Sequence, residues 1–482
     1  MLDRAESVFE PLPNADDTDL GNTMRFVRLF KDQVRYNAST GNWYIWDGVK
    51  WQLDEVNCIM DLTKEVITDI RFQALATEGE EQTTLLRWAK NSESLRSRNA
   101  IVSGATSEPK LVVRAHDFDT NPHLLVVRNG TLDLETSTLR ASRPEDLCSN
   151  QCTVDFDIMA ECPKWLGHIE FITQGDKELA RYMQIAMGYS LTGYGSSHER
   201  AFFFLEGDGA NGKNVFIEPI MEILGSYAMV SDGSLLTGDE KSHPAIFADL
   251  YGKRFVFVDE TRAGRRLNAE RVKALVGSKR IKGRYMHKDW FEFEGRFKLW
   301  IAGNGRPTMQ DTSDGIWTRL HEVPMLGKVG RDVAPVKDYG SVLYREEASG
   351  ILNWMLEGFR MWTEFGLVKP AIVQRTTDEH RDDEDLEGQF IDECLEVTGS
   401  LDDRLMSDAI FNAWFVWAIQ SGVSKYQIGT KADFIRRIRG RITKLTGIEQ
   451  NSKNAVMRDP VTKKPGRGLI GVRFSPYVTF QQ

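Results

Sequence analysis

The sequence predicts an α/β protein built on a parallel sheet, with an α+β region before it and a small basic helix-and-hairpin module after it. Three observations carry this expectation. Short runs that are apolar throughout, AFFFL at 201–205, FVFV at 255–258 and FKLWIA at 297–302, describe strands buried on both faces, the habit of parallel sheets covered by helices. The first run leads into a Gly-rich loop and a helical stretch, the second into Asp259-Glu260, the third into Gly303-Asn304. The last hundred residues change character, with a basic amphipathic helix followed by a basic turn and a strand.

Composition narrows the class. The 482 residues carry 61 basic and 70 acidic side chains, a net charge of −9, and 41% are hydrophobic. Such a chain buries several cores without disulfide or metal staples. The longest stretch without a charge, 182–198, holds Gln, Ser, Thr, Gly and His, so a membrane span is not expected. The acidic start MLDRAESVFEPLPNADD lacks the apolar core of a signal peptide. Five cysteines do not make a secreted framework, and the expected setting is a reducing cytoplasm. Cys148, Cys152 and Cys162, with His168 beyond, match zinc spacing poorly, and the cysteines read as small buried or half-buried thiols.

In chain order, residues 1–17 read as a loose arm. Residues 18–163 form the α+β region: an amphipathic helix, a hairpin at WYIWDGVKW with a type I′ turn at Asp47-Gly48, helix over 53–100, then short strands over 111–134 with a turn at Asn129-Gly130. Apolar residues at spacings of three and four make 164–193 helical. The α/β core is expected over 164–330 and a helical segment over 331–385. The basic module is expected over 386–482.

Residues 207–213 (GDGANGK) fit the P-loop spacing G-x-x-x-x-G-K between a buried strand and a helix. Gly207, Gly209, Asn211 and Gly212 let backbone N–H groups converge on phosphate oxygens, the helix N-terminus adds positive potential, and Lys213 reaches the β- and γ-phosphates. The motif's usual Ser or Thr is Asn214, whose carbonyl oxygen is also a hard donor for Mg²⁺. Asp259 would hold the Mg²⁺ water shell, and Glu260 would polarise the attacking water. Asn304 stands where a polar group could sense the γ-phosphate, and Arg319 could serve as an arginine finger to a neighbouring copy's ATP.

In order and spacing these motifs resemble the superfamily 3 helicases, and among them the phage and plasmid primase-helicases related to the poxvirus primase-helicase. The resemblance rests on 181–213, on ADLYGKRFVFVDET at 248–261, on KALVG at 273–277 and on FKLWIAGNGRP at 297–307; WDGVKW and GILNW at 350–354 also fit. It departs at Asn214 and at Ser278-Lys279, where the family often has Gly-Asp. The resemblance implies an AAA+ core, ATP and Mg²⁺ as cofactors, and a homo-oligomer, expected to be a hexamer. Such a ring would encircle single-stranded or forked DNA and translocate 3′ to 5′. It also implies a separate primase or replication-initiation protein as a further partner, and a bacterial host's cytoplasm if the chain is phage or plasmid encoded.

Two basic stretches would hold DNA. Residues 262–298 carry a net +8, and the hairpin that the family projects into its channel would have its tip at His287-Lys288, beside Trp290 and Phe291. Residues 431–473 carry a net +9; Arg436, Arg437 and Arg439 on a helix, and Lys463, Lys464 and Arg467 on a hairpin wing, suggest a winged-helix-like domain that docks on phosphates. Two other readings stand beside the helicase: an initiator or loader that unwinds weakly, for which Asn214 speaks, and a primase-helicase that polymerises, for which only Asp117-Phe-Asp119 speaks. That pair reads as a turn, and the place of a fused primase domain is expected to lie before this chain.

Overall fold

The computed structural model describes residues 16–207, 209, 211–237, 245–260, 266–285, 289–309, 314–329, 336–423, 428–450, 456–458 and 465–476, the side chains of Glu260 and Val456 excepted. Two compact units divide at Thr376 and Thr377.

At the centre of the first unit lies a five-stranded sheet. Its spatial order is Leu320–Pro324, Phe202–Glu206, Lys298–Gly303, Phe255–Glu260, Ala228–Ser231, and every neighbouring pair is parallel. Alternate side chains of each strand enter opposite cores. Phe203, Leu205, Phe257, Trp300 and Val323 pack under one set of helices, and Phe202, Phe204, Val256, Val258 and Ile301 under the other. Burial on both faces explains the uninterrupted apolar runs. Trp300 is wholly buried, lies stacked 4.1 Å from Phe203 and donates to Ser190 Oγ at 3.1 Å.

The first face is covered by helices Pro163–Thr173, Lys177–Ser190, Lys213–Leu224 and Tyr339–Phe365. The expected helix over 164–193 is therefore two, broken where Gln174 and Gly175 take positive φ. Gly188 and Gly358 let the 177–190 and 339–365 helices touch backbone to backbone: a Cβ on either would stand 2.0 Å from a main-chain atom of the other helix.

Ahead of this core lies the α+β region. Strands Val34–Asn37, Asn42–Trp46, Trp51–Leu53 and Val112–Val113 form one sheet, and Leu124–Val127, Gly130–Asp133 and Thr138–Arg140 another. Helices Asp19–Phe30, Cys58–Leu75, Gly79–Ser92 and Leu95–Ala105 supply the α part. The WDGVKW hairpin forms with Trp46 opposite Trp51, but its loop has four residues. Asp47 Oδ1 accepts from the N–H groups of Val49 and Lys50 at 2.8 Å, so an Asx closure replaces the expected type I′ turn. Asp117 and Asp119 likewise bond to the backbone: Asp117 Oδ2, on a partly exposed side chain, accepts from the Arg114 N–H at 2.7 Å, and buried Asp119 accepts from the Ser149 N–H at 3.0 Å and Ser149 Oγ at 2.5 Å.

The second unit has its own core, in which Trp414 stacks 4.9 Å from Phe434. In order it contains helix Leu386–Cys394, strand Leu395–Val397, strand Arg404–Met406, helices Ser407–Gln420 and Lys431–Thr446, and strands Val456–Arg458, Pro465–Ile470 and Val472–Phe474. The 465–470 strand lies antiparallel between the 404–406 and 456–458 strands.

Candidate active site

Parallel register brings the predicted catalytic positions to one edge of the sheet. Ala302 lies beside both Leu205 and Asp259, and Gly303 beside Glu260. Gly207, Asp259, Glu260 and Asn304 thus stand at adjacent C-terminal strand ends. In open α/β sheets ligands bind at that edge. Arg319 does not join them. It precedes Leu320, which pairs with Phe202 at the other end of the sheet, about 16 Å of extended strand away. There its Nη1 donates to the Lys273 carbonyl at 3.3 Å.

The loop after the 202–206 strand is built for close backbone approach. Gly207 and Gly212 adopt φ of 158° and 88°. A Cβ on Gly207 would fall 1.7 Å from Asn211 Nδ2, and one on Gly212 would fall 2.7 Å from Ile172 and 2.8 Å from His168. Lys213 is buried, and its Nζ donates to the Gly207 carbonyl. Asn211 is also buried, and its Nδ2 has no acceptor among the described residues. Asp208 and Ala210 lie outside the described residues.

Beneath the loop stands a residue that sequence reasoning assigned only to the thiol cluster. His168 Nε2 donates to the Gly212 carbonyl at 3.2 Å. Burial pushes its imidazole down to about 4, so the ring is neutral with its proton on Nε2. The helix carrying it is fixed from below: buried Glu347 accepts from the N–H groups of Lys164 and Trp165 at 2.9 and 2.8 Å, capping its first turn with a carboxylate. Cys148, Cys152 and Cys162 are buried thiols, and burial raises Cys152 to about 12 and Cys162 to about 11.

On the helix side, Asn214 and Asp259 line one cleft of about 280 Å³ with Glu218, Glu222, Val230 and Phe257. Partial desolvation, then the charges of Asp338 and Glu222, raise the Glu218 carboxyl above its ordinary value. Among the described residues no three His, Cys, Asp or Glu side chains form a metal cage. Mg²⁺ in phosphoryl-transfer sites takes one or two carboxylates and completes its shell with phosphate and water. Asn214 and Asp259 fit that donor set, and a phosphate oxygen fits the acceptor that Asn211 Nδ2 lacks.

The positions expected to face DNA divide. His287, Lys288, Lys463 and Lys464 lie outside the described residues. The hairpin Arg280–Gly283 with Phe291–Glu294 is present; Phe291 is buried, whereas Trp290 is 55% exposed, with the Arg284 guanidinium 5.1 Å from its ring. Arg436 is exposed on the 431–446 helix beside Asp433, and Arg467 is exposed on its strand. Arg437 is instead tied to Glu387 at 2.7 Å, and Arg439 is half-buried. Those two therefore serve the packing of the helix at least as much as its surface.

Fold and site together define a mixed α/β protein with a Gly-rich loop at the C-terminal edge of a parallel sheet. The model of the family described as D5 N terminal like matches residues 23–174, and that of a family of unknown function (DUF5906) matches 205–319. A protein named "Putative helicase" of Acanthamoeba polyphaga mimivirus is 26% identical over 396 residues, 74% of this chain and 41% of that protein. A "Putative primase" of African swine fever virus is 26% identical over 250 residues, 49% of this chain and 26% of that protein. The chain thus spans less than half the length of these relatives. The apo NrS-1 C terminal region shares the fold, with a TM-score of 0.51 at 10% identity, over 93% of this chain and 99% of that one. The chain is thus similar to viral proteins named putative helicase and putative primase, and these findings support a primase-helicase family related to the poxvirus primase-helicase. No described helix is long and apolar enough to cross a membrane.

Proposed function

We propose that the chain is an ATP-dependent DNA helicase with an AAA+ core of the superfamily 3 type, working 3′ to 5′ as a ring, expected to be hexameric, on single-stranded and forked DNA. One observation carries the reading: Gly207, Asp259, Glu260 and Asn304 share the C-terminal edge of the sheet, while Arg319 stands at the opposite edge. An arginine so placed cannot serve its own chain's triphosphate, but a neighbouring copy can present it.

In this reading the loop N–H groups and Asn211 Nδ2 hold phosphate oxygens, and Lys213 leaves the Gly207 carbonyl to neutralise the β- and γ-phosphates. Asn214 and Asp259 would hold Mg²⁺, which would supply further charge neutralisation when bound. Glu260 orients and deprotonates water, Asn304 positions it, and the neighbour's Arg319 stabilises the charge that develops. The helix, strand and hairpin order of the second unit supports a winged-helix reading. Arg436 and Arg467 would then contact phosphates without reading sequence.

A second reading, an initiator or loader with weak unwinding, is favoured by one position only: Asn214 replaces the hydroxyl that P-loops aim at Mg²⁺. A polymerising activity finds no support in Asp117 and Asp119, whose carboxylates cap local backbone. Turnover of ATP with and without single-stranded DNA, alongside separation of a forked duplex, tests the proposal. DNA-stimulated turnover with strand separation is expected. Stimulated turnover without separation favours the loader, and indifference to both nucleotide and DNA removes the reading.

A further inference from the structure

Arg306 is two residues past Asn304, on the loop leaving the 298–303 strand. Its guanidinium spans the sheet edge: Nε lies 2.8 Å from Glu206 Oε1 and 3.0 Å from Glu322 Oε1, and Nη2 donates to the Thr376 carbonyl at 3.4 Å. Glu206 immediately precedes Gly207, and Glu322, fully buried, belongs to the next strand over. The side chain thus reaches from the third strand across the loop-bearing strand to the outermost one, two strand spacings or about 10 Å. The far end of the same loop is also fixed, since Leu267 N–H donates to the Thr308 carbonyl at 2.9 Å. Asn304, between the strand end at Gly303 and the anchored Arg306, is exposed.

We infer that Arg306 is a positioning residue of the nucleotide site, a staple that sets Asn304 at a fixed distance from the root of the phosphate loop. The inference rests on the nucleotide-site reading. Two carboxylates on adjacent strands, Glu206 at the end of its strand and Glu322 in the middle of the next, repel each other, and Glu206 stands close to where a triphosphate would lie. A planar guanidinium satisfies both at once, whereas an ammonium is a point charge that serves one well. Holding that edge is what keeps a water-orienting group in register, and a misplacement of about 1 Å there costs on the order of 100-fold in rate.

The test compares wild type, Arg306→Lys and the double variant Arg306→Gln/Glu322→Gln, which removes the staple without leaving a buried carboxylate unpaired. The double variant is expected to melt close to wild type, to keep KM for ATP within about twofold and to lose roughly tenfold or more in kcat, with Arg306→Lys between the two. Wild-type kcat in the folded double variant overturns the staple. So does a loss spread equally over kcat, KM and melting temperature in both variants, which would mark a merely structural ion pair. A wild-type protein that turns over no ATP instead removes the nucleotide-site reading itself.

Discussion

The imidazole of His168 donates from Nε2 to the carbonyl of Gly212, the residue that ends the Gly-rich loop ahead of the 213–224 helix. Only a neutral ring fits that buried position, and the carbonyl in turn dictates which nitrogen carries the proton. Replacing His168 with Ala removes this support and leaves a void under Gly212. We expect about 1–2 kcal/mol less stability and weaker nucleotide binding, roughly tenfold, with His168→Gln recovering part through its amide donor. Titration with a fluorescent nucleotide checks this; unchanged affinity in His168→Ala would deny the support role.

The same burial makes stability depend on pH. His168 is depressed to about 4 and His321, hydrogen-bonded to the buried Tyr182 hydroxyl, to about 3. Between pH 6.5 and those values the unfolded chain binds protons that the folded chain refuses. Stability is therefore full above about pH 6.5 and falls as pH drops, by about 1 kcal/mol per unit for each histidine. Urea unfolding across pH 4–7 measures the slope, and His168→Gln should flatten it; an unaltered slope would show that His168 is not depressed.

At the phosphate loop, Lys213→Ala should abolish ATP turnover while the protein remains folded, because its ammonium sits on a loop carbonyl and not in the core. Asn214→Ser tests the unusual position. If the amide oxygen is the poorer metal donor, the serine variant should need less Mg²⁺ for half-maximal turnover. A Mg²⁺ dependence that does not move would set Asn214 apart from the metal.

In the second unit the basic helix separates into two kinds of arginine. Arg437→Ala leaves Glu387, 11% exposed, without its ion-pair partner and should lower the melting temperature, by a loss of about 1–3 kcal/mol. Arg436→Ala with Arg467→Ala should leave melting unchanged but weaken DNA binding and reduce the salt slope by about two. DNA affinity measured at several salt concentrations distinguishes them, and an unchanged slope would take the helix off the DNA.

Much of this architecture was legible because its signals are local. Strands buried on both faces must be apolar at every position, and a loop whose backbone packs closely at Gly207 and Gly212 shows its glycines before a helix. What escaped is what the fold assembles from distant segments. His168 lies 44 positions from Gly212 and looks, in the sequence, like one more residue on an amphipathic helix. Arg306 becomes a staple only when the sheet sets Glu206 beside Pro324 and brings Glu322 alongside. At Asp47 the local signal is ambiguous, because an aspartate followed by glycine suits both a two-residue turn and a longer loop closed by the carboxylate, and the structure has the second. Arg437 is exposed, as a surface charge would be, and its pairing with Glu387, 50 positions away, is set by the packing of the helices.

The most direct test of a site shared between copies is complementation. Lys213→Ala lacks a working loop but keeps Arg319; Arg319→Ala lacks the arginine but keeps the loop. Each alone should be inactive. Mixed, they place an intact Arg319 against an intact phosphate loop at the junctions of mixed rings, and ATP turnover should reappear. Turnover that stays absent across all mixing ratios, in mixtures shown to co-assemble, would contradict the shared site, as would full activity of Arg319→Ala alone.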